Sequence, residues 1–534
     1  MTRSFHGQAC CRLRAAALVA AAFVVGFAPN RAVGQGAAPA ASDWPWGARG
    51  SSSAGMGRLD LYNLGLLGAK ARDPERAPAE QSTGKRQVSM QDDPTADRGP
   101  DRLLVEVLFP DGPAQKAGLE RGDVITGVSG KPFKDGSLAP LAKAILDAES
   151  GASKGVVLTV ERAEAKGKGA TQVLVAVPVL GKEASAPLTG KARGAALDAA
   201  LALLAERQKA DGGFAETLSG KNGAVVQASM AGLAWLAAGS DLAQGPYAEN
   251  VRKAAAFVRA NAMAASAAPT GGANWDQSNW GVAHGAIFLG ELQARSPDAE
   301  VLASLKALAA DLAKRQETSG GWAHGPGGPN ALGYVELNIV SGLSLMGMGL
   351  AREAGWEVPA ETLAKARAYI EGSSSGDGGI GYSTRDGQQG QGNIGRTAAA
   401  WMGYTALDLR RDAWTKRMTS YIQQHADDAF AGHASLMQQI LLAGLAAQAL
   451  DSKAAKSFWS VAQTDLVLAR SPDGSFQPRA WRESLQMGSN SDVSFGDIWT
   501  TAAWSIVLAA NGEADGLPGL PACTGRLARK PKAK

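Results

Sequence analysis

The sequence predicts a multidomain chain: a small β-rich domain, then an all-α domain of about six helix pairs closed into an (α/α)6 toroid. Three observations predict it. A Gly-Gly-aromatic marker recurs through the C-terminal two thirds, strand-length apolar runs alternate with turn residues between 103 and 179, and 534 residues exceed one ordinary domain. The marker is fullest at Gln316-Glu317-Thr318-Ser319-Gly320-Gly321-Trp322 and Gln208-Lys209-Ala210-Asp211-Gly212-Gly213-Phe214. Weaker copies read Gly271-Gly272-Ala273-Asn274-Trp275, Gly376-Asp377-Gly378-Gly379-Ile380-Gly381-Tyr382 and Asp473-Gly474-Ser475-Phe476. The glycines can take positive φ and stop a helix, and the aromatic pins the turn by burying its ring. A period of roughly 45 to 60 residues marks stacked units that cannot bury their apolar faces alone.

Residues 1–34 have the layout of a secretory signal: Arg3, Arg12 and Arg14, an apolar core from Ala15 to Ala28, and the small residues Ala32-Val33-Gly34. That core is too short to span a bilayer, so a secreted or periplasmic location is expected. The chain carries 54 basic and 50 acidic residues, and without the four arginines of the signal the balance is 50 to 50. An even balance with a basic cluster only in the tail, 523–534, makes no case for nucleic acid. Cys10 and Cys11 fall in the signal, leaving Cys523 alone and no internal disulfide.

Residues 35–57, rich in Ala, Gly, Ser and Pro, read as a flexible leader. The β-rich domain spans 58–182, with a polar insertion over about 72–102. Its signals are a strand at Leu103–Phe109, a short helix in Gly112–Leu119, a turn and strand at Gly122–Val128, and a hairpin turn at Ser129–Phe133. A helix over Leu138–Glu149 and strands at Gly155–Arg162 and Gln172–Val179 complete it.

From 186 to 522 the pattern is helical and paired, outer then inner. The pairs are Gly194–Lys209 with Ala224–Ala238, Asn250–Met263 with Trp280–Arg295, and Glu300–Gln316 with Leu332–Ala351. Then come Ala360–Glu371 with Gly395–Arg410, Ala413–His425 with His433–Leu450, and Lys453–Ala469 with Asp497–Ala510. Each second member is the more apolar and richer in small residues, as a helix enclosed on all sides must be.

Gly112 to Phe133 resembles the core signature of bacterial PDZ domains: small-Pro-Ala-x-x-Ala-Gly-Leu, then Gly-Asp-hydrophobic-Ile, then a Gly-Lys-Pro turn. The resemblance implies a glycine-containing loop whose amides bind a polypeptide C-terminus, and Leu64-Gly65-Leu66-Leu67-Gly68 is the candidate. The Gln-x-x-x-Gly-Gly-aromatic marker resembles the repeat of the terpenoid-cyclase and protein-prenyltransferase superfamily, which implies the toroid fold. The whole arrangement also resembles secreted PDZ-toroid proteins of planctomycete-type bacteria.

The chemistry of those families is not carried over. No Asp-x-Asp-Asp element for substrate protonation occurs in the toroid, and Cys523 lies past the last inner helix, out of place as a zinc ligand. Gly-x-Ser-x-Gly around Ser153 and Ser374 falls in loops. No His-x-x-x-His spacing predicts a metal, and no cofactor is implied.

One polar residue from the early part of each inner helix gives Gln227, His284, Glu336, Arg396, His433 and Asp497, a candidate ring at one end of the toroid. Within it His284, Glu336, His433 and Asp497 are acid/base candidates. Gln227 and Arg396, with nearby Asp276, Trp280 and Tyr334, are candidate ligand-binding residues. The functional expectation is a binding or scaffold protein, its small domain holding a polypeptide end and its toroid a second ligand. The alternative is a polysaccharide hydrolase or lyase with a glycan in the toroid.

Overall fold

The computed structural model describes residues 61–75, 98–162, 169–185, 188–214, 220–267, 278–326, 335–430, 435–477 and 491–510. The signal-like segment, the leader, most of the polar insertion, the 271–275 marker and the basic tail lie outside them.

The small domain is one antiparallel sheet, β1 (Tyr62–Asn63), β2 (Ala69–Arg72), β3 (Leu103–Leu108), β4 (Val124–Val128), β5 (Lys131–Pro132), β6 (Val156–Glu161) and β7 (Thr171–Val175). Its order is β1-β2-β3-β4-β6-β7, with β5 pairing β4. A short helix α1 (Pro113–Lys116) and a longer α2 (Leu138–Glu149) accompany it. The period-2 alternation seats Val156, Leu158 and Val160 of β6 in the core with Leu141 and Ile145 of α2.

Among the described residues six outer helices follow: α3 (Gly190–Arg207), α5 (Ala248–Ala267), α7 (Ala299–Lys314), α9 (Ala360–Gly372), α11 (Ala413–His425) and α13 (Ser452–Ala469). They alternate with six inner ones: α4 (Gly220–Ala237), α6 (Ser278–Arg295), α8 (Asn338–Glu353), α10 (Ile394–Ala406), α12 (Leu436–Leu450) and α14 (Ser491–Ala510). Outer helices bury one stripe, as α7 does with Val301, Leu305, Leu308 and Leu312. Inner helices are buried nearly all round, as α6 is from Ser278 to Leu292 apart from Trp280.

Each inner helix packs on the next, and α14 packs back on α4, so the ring is closed. Two inner helices start later than the sequence suggests, α8 at Asn338 and α12 at Leu436. α14 starts earlier, at Ser491, and is broken at Gly496, which takes φ 77°.

The markers are one turn built several times. After α3 and α7 the glutamine of the marker donates both to its own turn and to the start of the next outer helix. Gln208 reaches Gly212 O and Asn250 O, and Gln316 reaches Gly320 O and Thr362 O. Gly320, at φ 98°, lies so close that a Cβ there would stand 2.2 Å from Lys365 O of α9. The turn after α13 places Gly474 against Ala199 of α3, closing the outer layer as the inner one is closed. The aromatic position points inward, with Trp322 buried and its indole N–H on Leu312 O at 2.7 Å.

The small domain is docked on α13 and the loop after it. Val467 and Leu468 complete the small domain's core. A buried two-pronged ion pair joins Glu149 at the end of α2 to Arg470, at 2.9 and 2.6 Å. Asn63 and Lys70 donate to the Gln477 carbonyl and side chain.

Candidate functional site

The inner helices run in parallel, so their N-terminal ends gather at one end of the ring. His284 lies there on α6, and Gln438 on α12 stands beside its imidazole. Because α6 and α12 are the second and fifth of six inner helices, that approach crosses the ring, and the cluster sits on its axis. Trp499 of α14 presents its ring edge-on to His284 at 5.7 Å between centroids, and Trp280 stacks on His284 from one turn below at 6.2 Å.

His284 Nδ1 lies 2.9 Å from the Trp280 carbonyl. A carbonyl only accepts, so Nδ1 carries the proton and Nε2 is left as an acceptor. Nε2 is sealed from solvent, and among the described residues no hydrogen bond of ordinary geometry reaches it or either polar atom of the Gln438 side-chain amide, although the two side chains stand close enough to act on each other. Burial pushes the His284 pKa down to about 4, opposed only in part by the Trp280 carbonyl and Gln438. The ring is therefore a neutral acceptor at physiological pH.

Asp492, at the start of α14, organises the surroundings. Its carboxyl accepts from Ser435 Oγ at 2.5 Å, the Met437 amide at 2.8 Å and the Trp499 indole at 3.1 Å. Burial raises its pKa, and these donors work against the rise. Ser435 in turn caps α12 by accepting from the Gln438 amide, so Asp492 fixes both the indole and the helix end that face His284. Gln227 of α4 donates to Phe495 O at 2.7 Å, and its own Oε1 has no partner among the described residues.

The expected ring of six is corrected. Gln227, His284 and Trp280 belong to this axial cluster, but Glu336, Arg396 and Asp497 face elsewhere. The Glu336 carbonyl accepts from Tyr369 of α9, placing that residue toward the outer layer. Arg396 is turned onto the connection before α10, bonding Ile380 O and Gln391 O. Asp497 lies past the Gly496 break and faces the seam with the small domain, where Asp473, Arg207 and Lys70 surround it. Burial raises its carboxyl to about 7 and lowers the Lys70 amine to about 8. His433, Tyr334 and Asp276 lie outside the described residues. Gln438, Asp492, Phe495 and Trp499 were not singled out in the sequence; the nearest signal is the acid-then-aromatic spacing of Asp492 and Trp499, two helical turns apart.

Three of the five backbone amides of the loop Leu64–Gly68 are engaged locally. Leu64 N, Leu67 N and Gly68 N bond to Ala69 O, Leu64 O and Gly65 O. A Cβ on Gly65 would stand 2.8 Å from Val467 O, and one on Gly68 3.1 Å from Pro472. The toroid itself covers the loop.

Residues 196–509 match the model of a family described as a domain of unknown function, DUF6288. No curated protein matches. Among solved structures the chain is similar to the type II terpene cyclase MstE from Scytonema in complex with geranylgeranyl dihydroxybenzoate. That pair is 14% identical, covers 60% of this chain and 97% of that one, and has a TM-score of 0.35. The apo form of the same enzyme is 14% identical over 59% and 97% of the two chains, with a TM-score of 0.34. The expectation of a scaffold, with a polysaccharide hydrolase or lyase as its alternative, is corrected. The loop assigned to a polypeptide end is packed against the toroid, and of the described acid/base candidates Glu336 and Asp497 lie away from His284.

Proposed function

We propose, for this chain, which belongs to the DUF6288 family, that it is an enzyme acting on a small, largely apolar molecule held on the axis of the inner ring. His284 accepts a hydrogen bond or a proton from that molecule. The observation that carries the reading is the buried His284 Nε2, an acceptor that no hydrogen bond of ordinary geometry reaches among the described residues, beside a Gln438 side-chain amide in the same condition and inside indole walls. Buried polar groups are nearly always satisfied, and leaving one unmade is expensive. Trp280, Trp499 and Phe495 supply apolar contact, and Asp492 holds Trp499 in place. A base with a conjugate acid near 4 removes protons only from strongly acidic centres. It therefore suits a substrate that becomes acidic during reaction better than one that is acidic at rest.

In this reading the PDZ-like small domain is a fixed cover on α13. The order of its strands and the Gly112–Phe133 motif support the likeness. Export is part of the same proposal, supported by the signal-like pattern of residues 1–34.

The test is a thermal-shift and fluorescence screen of small apolar alcohols, amines and polyenes against the full chain and against His284→Phe, which keeps a planar ring and removes the acceptor. Binding by donor-bearing members that weakens at least tenfold in His284→Phe is the expected result. Equal binding by both proteins, or no binding by any member, overturns the reading.

A further inference from the structure

Independently of the axial cluster, Arg396 is a half-buried cation with no carboxylate partner among the described residues. It lies in the first turn of α10. Its guanidinium stands over the Tyr382 ring at 5.5 Å, and Tyr421 is close enough to act on it. Among the described residues two of its five N–H groups are used, Nε on Ile380 O at 3.4 Å and Nη2 on Gln391 O at 3.2 Å. Burial pulls its pKa down to about 10.

The nearby acids are engaged elsewhere. Asp377 accepts from Ser375 and the Gly379 amide, and Asp428 holds His425 Nδ1 at 2.8 Å. The chain holding Arg396 is the glycine-rich connection from the Ser373 cap of α9 to the Asn393 cap of α10. It is too long for a simple reversal, and connections of more than about 12 to 15 residues in compact domains are commonly functional.

We propose that Arg396, held by this connection and flanked by Tyr382 and Tyr421, is a binding site for an oxyanion, a carboxylate or phosphate group of a small ligand. Even partial withdrawal of a cation from water is unfavourable without a counter-charge, which a ligand would supply. The unused N–H groups form the edge of a planar fork suited to two-pronged recognition of such a group. The tyrosine rings exclude water from one side.

The experiment is calorimetric titration of the full chain with inorganic phosphate, sulfate and benzoate, in the wild type and in Arg396→Gln, Arg396→Lys and Tyr421→Phe. The expected result is millimolar or tighter affinity for at least one anion, lost at least tenfold in Arg396→Gln and severalfold in Arg396→Lys, which keeps the charge and removes the fork. A preference for benzoate assigns a carboxylate, and one for phosphate or sulfate a tetrahedral anion. Absence of binding by all three, or equal affinity in the wild type and a cooperatively melting Arg396→Gln protein, overturns the proposal. If Arg396→Gln does not fold, unchanged affinity in Arg396→Lys overturns it.

Discussion

At the scale of single residues the chain buries titratable groups whose preferences run in opposite directions with pH. His284 titrates near 4 in the fold, below its free value of 6.5, because burial disfavours the imidazolium. The neutral ring is what the fold accepts, so this contribution is complete above pH 6.5 and is lost as pH falls toward 4, roughly 3 kcal/mol in all. His284→Phe should remove that slope: its unfolding free energy changes less between pH 7 and 4 than the wild type's, measured by urea titration at each pH. Asp497 has the opposite sign. Its carboxyl is raised from 3.8 to about 7 by burial and by Asp473, against Arg207 and Lys70, so its contribution is present at low pH and lost as pH rises through 7. Asp497→Asn should therefore gain stability relative to the wild type at pH 8 and show little gain at pH 4, and an equal gain at both would contradict the assignment. His284 was legible in the sequence because a histidine in an apolar inner helix stands out. Gln438 and Asp492 were not, since which polar residue faces the axis depends on the rotational phase of each helix, at 100° per residue, and apolar all-round helices give no phase.

At the scale of elements the marker turn carries the fold, and its glycines differ in kind. Gly320 combines φ 98° with a Cβ path ending 2.2 Å from a backbone carbonyl of α9, so neither conformation nor space admits a side chain. Gly355, after α8, has φ 84° and nothing within 4 Å, so only conformation opposes substitution. Gly320→Ala should lose at least about 3 kcal/mol, against about 1 to 2 kcal/mol for Gly355→Ala, and similar losses in chemical denaturation would show that the close approach does not matter. The outer helices and the markers within the described residues were read near their true limits, since glycine pairs and amphipathic stripes are local signals. The starts of α8, α12 and α14 were not, because each is set by contacts from elsewhere. Asn338 is fixed by Ser373 and Gly381, Ser435 by Asp492, and the Gly496 break lets Asp492 and Asp497 face different ways.

At the scale of the whole molecule the small domain and the toroid are joined by a buried charge pair between residues 321 positions apart in sequence. Nothing local marks Glu149 or Arg470 as partners, and a sequence that predicts two domains is silent on whether they move independently. The geometry answers this: the side chains of Glu149 and Arg470 are 0% and 5% exposed, and α13 lends Val467 and Leu468 to the small domain's core. A pair of this kind adds little over an apolar contact of the same shape, yet removing one partner leaves a charge stranded. Arg470→Met should lose about 3 to 5 kcal/mol and split one thermal transition into two, with the small domain melting first. Glu149→Leu combined with Arg470→Met should recover most of that loss, because no charge is then left in the seam. Calorimetry decides between this and a loose tether: if Arg470→Met melts as the wild type does, the ion pair does not couple the domains. Coupling also bears on the site, because Lys70 of the small domain acts on Asp497, on the helix whose Trp499 faces His284. Separating the domains in Arg470→Met should therefore shift the Asp497 titration, an effect that a cover merely resting on α13 would not produce.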